Sequence, residues 1–168
     1  MAVSDRYTGY HALAKAVFTI EGDDEHLDEL VALFTAMGNR VQTIDRHQKA
    51  LYHCAAVTVS NHVLALLDWG VELLVRCGFA QEQALSVLSP LIRGNVEAAL
   101  CRGVTDALTG PVERGDTATI TNHLRALSDH PDEQLLYKLL AGRLVEVARR
   151  KHPQRDDSEL RTMLGGLF

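Results

Sequence analysis

Residues 17–44 read VFTIEGDDEHLDELVALFTAMGNRVQTI, and this stretch contains three secondary-structure signals in succession. The segment VFTIE at its start and the segment RVQTI at its end have the composition of strands. Between them, residues 26–37 carry apolar side chains at helical spacing, after a turn at residues 21–24 that can cap a helix. The pair Gly38-Asn39 ends this segment. The order strand, helix, strand predicts a β-α-β unit with parallel strands and a right-handed crossover.

A sheet of only two parallel strands poses a stability problem. Parallel sheets are normally covered on both faces, and an isolated strand pair is marginal in water. The sequence after residue 44 predicts no further strand. The pair could be the edge of a larger sheet, could pair across a dimer, or could rest on the helices that follow. We favour the first alternative, in which the other strands of the sheet are absent from this chain.

From Asp45 onward the sequence pattern is helical. Asp45 followed by Gln48 fits a capping box. Residues 46–77 contain no proline and a single glycine, Gly70, so they predict one helix of roughly 45–50 Å. Because its apolar residues occur on most faces, this helix is expected to be central and wrapped by others.

Shorter helices are predicted after this long one, and Pro90 is expected to bend or break the first of them. Their predicted ranges are 81–101, 104–108, 117–127, 131–151 and 158–164. The predicted fold class is therefore mainly α, a helical bundle around a long central helix, preceded by a small β-α-β remnant. We divide the chain into residues 1–45, a lead-in with the β-α-β edge, and residues 46–168, a helical domain.

The composition is that of an ordinary soluble globular domain, with 46% hydrophobic and 23% charged residues. A net charge of −5 argues against general affinity for nucleic acid or for anionic membranes. Uninterrupted apolar runs are far shorter than the roughly 20 residues of a bilayer span, and no secretory leader follows Met1. Cys54, Cys77 and Cys101 lie in apolar helical patterns and are expected to be buried, reduced thiols. We therefore expect a cytoplasmic protein.

A polar stripe begins at the start of the long helix. Lys49 and His53 are four residues apart and share a face, and Ser60, eleven residues from Lys49, returns near it with Asn61 beside it. Lysine or histidine could exchange a proton with a carbonyl or hydroxyl oxygen while an amide orients it. The alternative is that Lys49 and His53 are surface residues of the first turns and that Asn61 is a satisfied polar group.

A second candidate site is the loop at residues 109–116, which reads TGPVERGD. Thr109 begins a Thr-Gly-Pro turn that fixes a tight backbone, and Arg114 is placed to pair with a carboxylate or phosphate. The alternative is an ordinary helix–helix connection with a good N-cap, before a helix opened by Asp116 or Thr117.

The sequence argues against two kinds of site, a dinucleotide site and a metal site. No glycine-rich phosphate loop occurs, so the chain alone is not expected to bind a dinucleotide. His47, His53 and His62 share the long helix, but no two of them are three or four residues apart, so no metal site is expected.

The sequence resembles a known family over residues 16–150. It is similar to the C-terminal domain of unknown function that follows a Rossmann-like domain in predicted NADP oxidoreductases, which are themselves similar to ketopantoate reductase and 6-phosphogluconate dehydrogenase. The segments that carry the resemblance are IEGD at 20–23, KALYHCAA at 49–56, SN at 60–61, RGN at 93–95, LTGP at 108–111 and RGD at 114–116.

The resemblance implies that the β-α-β unit is the end of a Rossmann sheet and that the helices form an all-α domain like the C-terminal domain of 6-phosphogluconate dehydrogenase. Such domains often form dimer interfaces, with the active site in the cleft between domains. Relatives in that superfamily carry a lysine and, four residues on, an asparagine at the start of the long helix. Here those positions are Lys49 and His53, and the change to histidine leaves the identity of the proton donor open.

Our leading hypothesis is the C-terminal helical domain of an NAD(P)-dependent reductase or dehydrogenase of a small oxo or hydroxy acid. The chain would lack the nucleotide-binding domain and be inactive alone, with NADP or NAD bound only by the parent protein. Lys49 and His53 would be catalytic, Ser60, Asn61 and Thr109 would contact the substrate, and Arg114 would anchor an anion. The expected partners are a second copy of the chain and a Rossmann-type domain in cis or in trans. Alternatives are a non-catalytic association module and an independent small helical enzyme.

Overall fold

The computed structural model describes residues 16–22 and 24–166. The lead-in predicted for residues 1–13 lies outside this range. The chain divides into two compact units, residues 1–73 and 74–168, and each is described separately below. The domain boundary that we placed between residues 45 and 46 stays a prediction.

The first unit contains the predicted β-α-β arrangement. Strand β1 (Val17–Ile20) is followed by helix α1 (Asp24–Ala36) and strand β2 (Arg40–Thr43), and the two strands are parallel. Val17 lies opposite Arg40, and Ile44 N donates to Ile20 O at 3.0 Å, which continues the pairing by one residue. The ring of Phe18 stacks on that of Phe34 with centroids 4.8 Å apart, so α1 packs on one face of the strand pair. The predicted order of strand, helix and strand and the parallel pairing are confirmed.

A single long helix follows this sheet. Asp45 caps a short 3-10 turn, Arg46–Gln48, by accepting a hydrogen bond from His47 N at 2.7 Å. Helix α2 (Lys49–Arg76) then continues without interruption. The mainly helical fold class with a small N-terminal sheet is confirmed.

The burial expected of a central helix is not observed for α2. None of the residues Lys49–Arg76, all of which the structure describes, is buried. Leu51, Val59 and Leu64 are each about two-thirds exposed or more. Apolar residues on most faces predicted a wrapped helix, but in this single chain those faces lack a cover. The prediction of buried cysteines is also wrong, since Cys54, Cys77 and Cys101 are free and exposed.

The long helix also differs from our expectation about membrane spans. Within the described part of the chain, Arg46–Arg76 is the one helix that is long and apolar enough to cross a membrane by length and composition. Our expectation counted uninterrupted apolar runs, which the polar residues of this helix keep short. The mean hydropathy over the helix is nevertheless high, because Leu, Val and Ala are frequent in it. The core helix of a soluble protein meets the same criterion, but such a helix is mostly buried, whereas none of this one is buried in the single chain.

The second unit is formed by short and medium helices after the end of α2. Their bounds are α3 (Gln81–Arg102), α4 (Val104–Ala107), α5 (Pro111–Arg114), α6 (Thr117–Ala126), α7 (Pro131–Lys151) and α8 (Ser158–Met163). Helix α3 runs continuously through Pro90, so the proposed break there is wrong. Helix α5 was not predicted, because the segment resembled a connecting loop.

The core of the second unit lies where α5, α6, α7 and α8 meet. Ile120 and Val145 are fully buried, and they form one cluster with Val112, Leu160 and Leu164. Helix α7 contributes more buried residues than any other described helix, in keeping with its small residues Ala141, Gly142 and Ala148. This core supports the turn that carries Thr109 and Arg114.

Candidate functional site

The candidate site in the first unit lies at the carboxyl ends of the two parallel strands. Glu21 directly follows β1, and its Oε1 accepts a hydrogen bond from Lys49 Nζ at the first residue of α2. An open cavity of 480 Å³ lies at this edge, lined by Gly22, Leu27 and residues 43–47. Ligands of open α/β sheets bind outside the carboxyl ends of the strands, so this edge is where a ligand is expected.

The predicted polar stripe is present along α2, but its side chains differ in the hydrogen bonds that they already make within the chain. Lys49, His53, Ser60 and Asn61 are all exposed. Ser60 Oγ lies 2.7 Å from Ala56 O, to which it can donate, and 2.9 Å from Asn61 Oδ1. The Ser60 proton is therefore used within the helix, and toward a ligand this hydroxyl is better suited to accept a hydrogen bond.

Lys49 and His53 lie close in sequence to the cavity at the strand ends. The walls of the cavity at the strand ends include neither residue, although His47 is only two residues before Lys49. The independent small enzyme, which would be favoured by a closed pocket around Lys49 and His53 within this chain, stays a prediction.

The candidate site in the second unit is built on a sharp turn. Gly110, at a φ of +96°, places Pro111 as the first residue of α5, and Gly115, at +69°, ends this helix in the left-handed conformation. Thr109 is exposed, and the Arg114 side chain is 61% exposed with its Nη2 3.9 Å from Asp116 Oδ2. Arg114 is accessible to an anion, but its guanidinium already lies near the Asp116 carboxylate, at the long end of ion-pair distances.

Asp116, one of the two residues that we predicted could open α6, is its N-cap. Its Oδ1 accepts from Thr119 N at 2.9 Å, and its Oδ2 accepts from Thr119 Oγ1 at 2.7 Å. These two hydrogen bonds, from the Thr119 side chain first and its backbone second, lower the pKa of the Asp116 carboxyl. The side chain therefore serves the helix start.

Arg155 contacts the backbone of α5, next to the turn at Thr109 and Gly110. Its guanidinium donates to the carbonyl oxygens of Glu113 and of Val112, the latter at 3.2 Å. Its Nε donates to Asp157 Oδ1 at 2.7 Å, and the Asp157 side chain is 5% exposed. Arg155 thus satisfies carbonyls at the end of a four-residue helix that could not form stably alone.

Glu113 is the centre of a second polar contact to α7. Its Oε1 lies 2.8 Å from His152 Nε2 and 3.1 Å from Lys151 Nζ. Hydrogen bonds from the His152 side chain and then from Lys151 lower the pKa of the Glu113 carboxyl. Lys151 Nζ also donates to Leu108 O at 3.1 Å, so the end of α7 fixes both sides of the Thr109 turn.

The sequence did not reveal these contacts, because the partners of Glu113 are 38 and 39 residues away along the chain. The two predicted groups, from Lys49 to Asn61 and from Thr109 to Arg114, lie in different units. Within the described residues, no group of three or more His, Cys, Asp or Glu side chains could hold a metal ion.

Comparison with known protein families gives one match over most of the chain. The sequence profile of a family described as Domain of unknown function (DUF2520) matches residues 16–144. A search among curated proteins gave no match.

The solved structures that are similar to this chain include the following two. One, a candidate NADP oxidoreductase from Bacteroides fragilis, is 32% identical, with a TM-score of 0.63 over 80% of this chain and 51% of its own. The other, a Thermotoga maritima protein whose name states no activity, is 26% identical, with a TM-score of 0.76 over 86% of this chain and 58% of its own. This chain therefore spans a little over half the length of either structure.

Proposed function

The chain belongs to the family described as Domain of unknown function (DUF2520), and on that premise we propose that it serves as the C-terminal helical domain of an NAD(P)-dependent oxidoreductase. The Bacteroides fragilis relative, described as a candidate NADP oxidoreductase, supports this proposal at 32% identity. The resemblance that we drew to ketopantoate reductase and the C-terminal domain of 6-phosphogluconate dehydrogenase supports the same class of reaction.

The single observation that carries the proposal is the position of Lys49 at the carboxyl edge of two parallel strands. Its ammonium contacts Glu21 next to an open cavity, where ligands of α/β sheets bind. Since the part of this chain that matches covers only 51% and 58% of the two solved structures, the β1–β2 pair is proposed to be the edge of a larger Rossmann-type sheet. The rest of that sheet would be supplied by a nucleotide-binding domain in cis or in trans.

The proposed reaction interconverts an oxo and a hydroxy group of a small acid. A nicotinamide cofactor, NADP or NAD, held by the Rossmann-type domain would supply or accept the hydride. Lys49 or His53 would give or take the proton at the substrate oxygen. Ser60, Asn61 and Thr109 would orient the substrate, and Arg114 would bind its anionic group.

We also propose that two copies of the chain associate through α2. The apolar side chains exposed on this helix are unusual for a soluble monomer, in which large apolar patches mark interaction sites. A soluble, cytoplasmic dimer would cover them. The same observation favours a second candidate function, a non-catalytic association module, in which the long apolar helix exists only to dimerise.

Calorimetry with NADPH tests the cofactor assignment. The 168-residue chain is expected to show no measurable affinity, whereas the longest natural protein that contains it, or a mixture with its Rossmann-type partner, should bind. Tight binding of NADPH by the 168 residues alone would refute the assignment. Sedimentation of the chain over a concentration series tests the dimer, and a monomer at all concentrations would contradict it.

A further inference from the structure

An ion pair links two elements of the first unit that are far apart in sequence. Glu21 and Lys49 are 28 residues apart, at the end of β1 and the start of α2. The side chain of Lys49 is 69% exposed, whereas that of Glu21 is 27% exposed. The less exposed partner is therefore the carboxylate, which presents Oε1 to the lysine, while its Oε2 is buried and has no hydrogen-bond partner among the described residues.

Neither residue of the pair lines the cavity at the strand ends, but residues close to both in sequence do. Gly22, which adjoins Glu21, and His47, two residues before Lys49, both line it. A lysine side chain has four rotatable bonds and samples many conformations when exposed. A hydrogen bond to the less exposed Glu21 carboxylate restricts those conformations to the ones that keep the ammonium at the end of β1.

We infer that Glu21 is a positioning residue that holds the Lys49 ammonium at the carboxyl edge of the β1–β2 pair. This inference rests on the proposed function, in which Lys49 exchanges a proton with the substrate oxygen. Geometry within a fraction of an ångström governs such transfers, so an anchor for the donor is a functional requirement. Glu21 touches Lys49 and acts through it, without contacting the substrate.

The chain offers a matched control for this inference. It contains four lysines, Lys15, Lys49, Lys138 and Lys151, and Lys151 has its own carboxylate partner, Glu113, at 3.1 Å. In protein labelled with 15N-lysine, hydrogen exchange of each side-chain ammonium can be followed by NMR in the wild type, in Glu21→Gln and in Glu113→Gln. Thermal melts of the three proteins verify that each is folded.

We expect Glu21→Gln to accelerate exchange at Lys49 Nζ by about 1.5- to 5-fold, the population change that an exposed ion pair supports. Exchange at Lys151 should not change, and Glu113→Gln should show the reverse pattern. Glu21→Asp, one methylene shorter but still charged, should restore part of the slow exchange at Lys49. An unchanged Lys49 signal in folded Glu21→Gln, or equal changes at both lysines, would overturn the inference.

A second measurement separates positioning from a merely structural role. In the longest natural protein, Glu21→Gln should lower kcat for NADPH-dependent reduction of an oxo acid while KM stays the same, and Glu21→Asp should recover part of kcat. Unchanged kcat would overturn the inference. If the wild-type protein turns over none of a panel of 2-oxo acids, the proposed function fails, and the Lys49 exchange result alone still decides the positioning.

Discussion

Removing the Arg155 side chain should destabilise the second unit more than removing any comparable surface arginine. Arg155→Ala takes away the donors to two carbonyls at the end of α5 and leaves Asp157, which is 7% exposed, without its cation. Breaking a buried pair by removing one partner costs about 3–5 kcal/mol. Because the Arg155 side chain is 23% exposed, we expect about 2–4 kcal/mol of lost unfolding free energy.

Urea unfolding followed by far-UV circular dichroism measures this loss, since α5 to α8 share one core. Arg149→Ala is the control, because Arg149 is 62% exposed and 3.8 Å from Glu146, and it should change the free energy of unfolding by less than about 1 kcal/mol. Arg155→Lys should recover only part of the loss, since an ammonium cannot reproduce the planar fork of donors. Equal losses in Arg155→Ala and Arg149→Ala would refute the reasoning.

Three further predictions concern the core, the acid limb of stability and the long helix. Ile120→Ala should cost about 2–5 kcal/mol in urea unfolding, because Ile120 is fully buried in the cluster of the second unit. The lowered pKa of Glu113 adds stability above the unfolded-state value of about 4.3, and this stability is lost as the pH falls through the folded-state pKa. Melting temperatures measured from neutral to acid pH should therefore fall less steeply in Glu113→Gln than in the wild type, and parallel curves would contradict this. Val59→Lys, at a position 75% exposed, should weaken the proposed dimer in sedimentation without lowering the melting temperature of the monomer.

Much of the fold was predictable because its signals are local. The strand, helix and strand of residues 17–44 and the helix Pro131–Lys151 have clear periodicity and clear stops, and the structure confirms them. Pro90 did not break α3, because a helix can continue past a proline when only one internal hydrogen bond is lost. Helix α5 is four residues long and depends on Arg155, some forty residues away, so periodicity could not reveal it.

The candidate site was predictable only in part. The spacing of Lys49 and His53 on one helix face follows from the helical period, and the structure has that helix. The pairing of Lys49 with Glu21 is a tertiary contact between a strand end and a helix start, so no spacing rule predicts it. The largest difference between prediction and structure is the burial of α2, which we expected to be covered and which is exposed. Apolar periodicity shows which faces of a helix need covering, but it does not identify what covers them.

The central claim is that Lys49 and His53 carry the proton transfer of an oxidoreductase, and one kinetic comparison tests it most directly. Turnover of NADPH with a panel of 2-oxo acids is measured for the longest natural protein and its Lys49→Ala and His53→Ala variants, with Lys138→Ala as the control lysine. We predict that kcat/KM falls by at least about 10²-fold in at least one of the two site variants, the usual contribution of general acid–base catalysis, with the oligomeric state unchanged. Full activity in both site variants would contradict the claim and favour the association module.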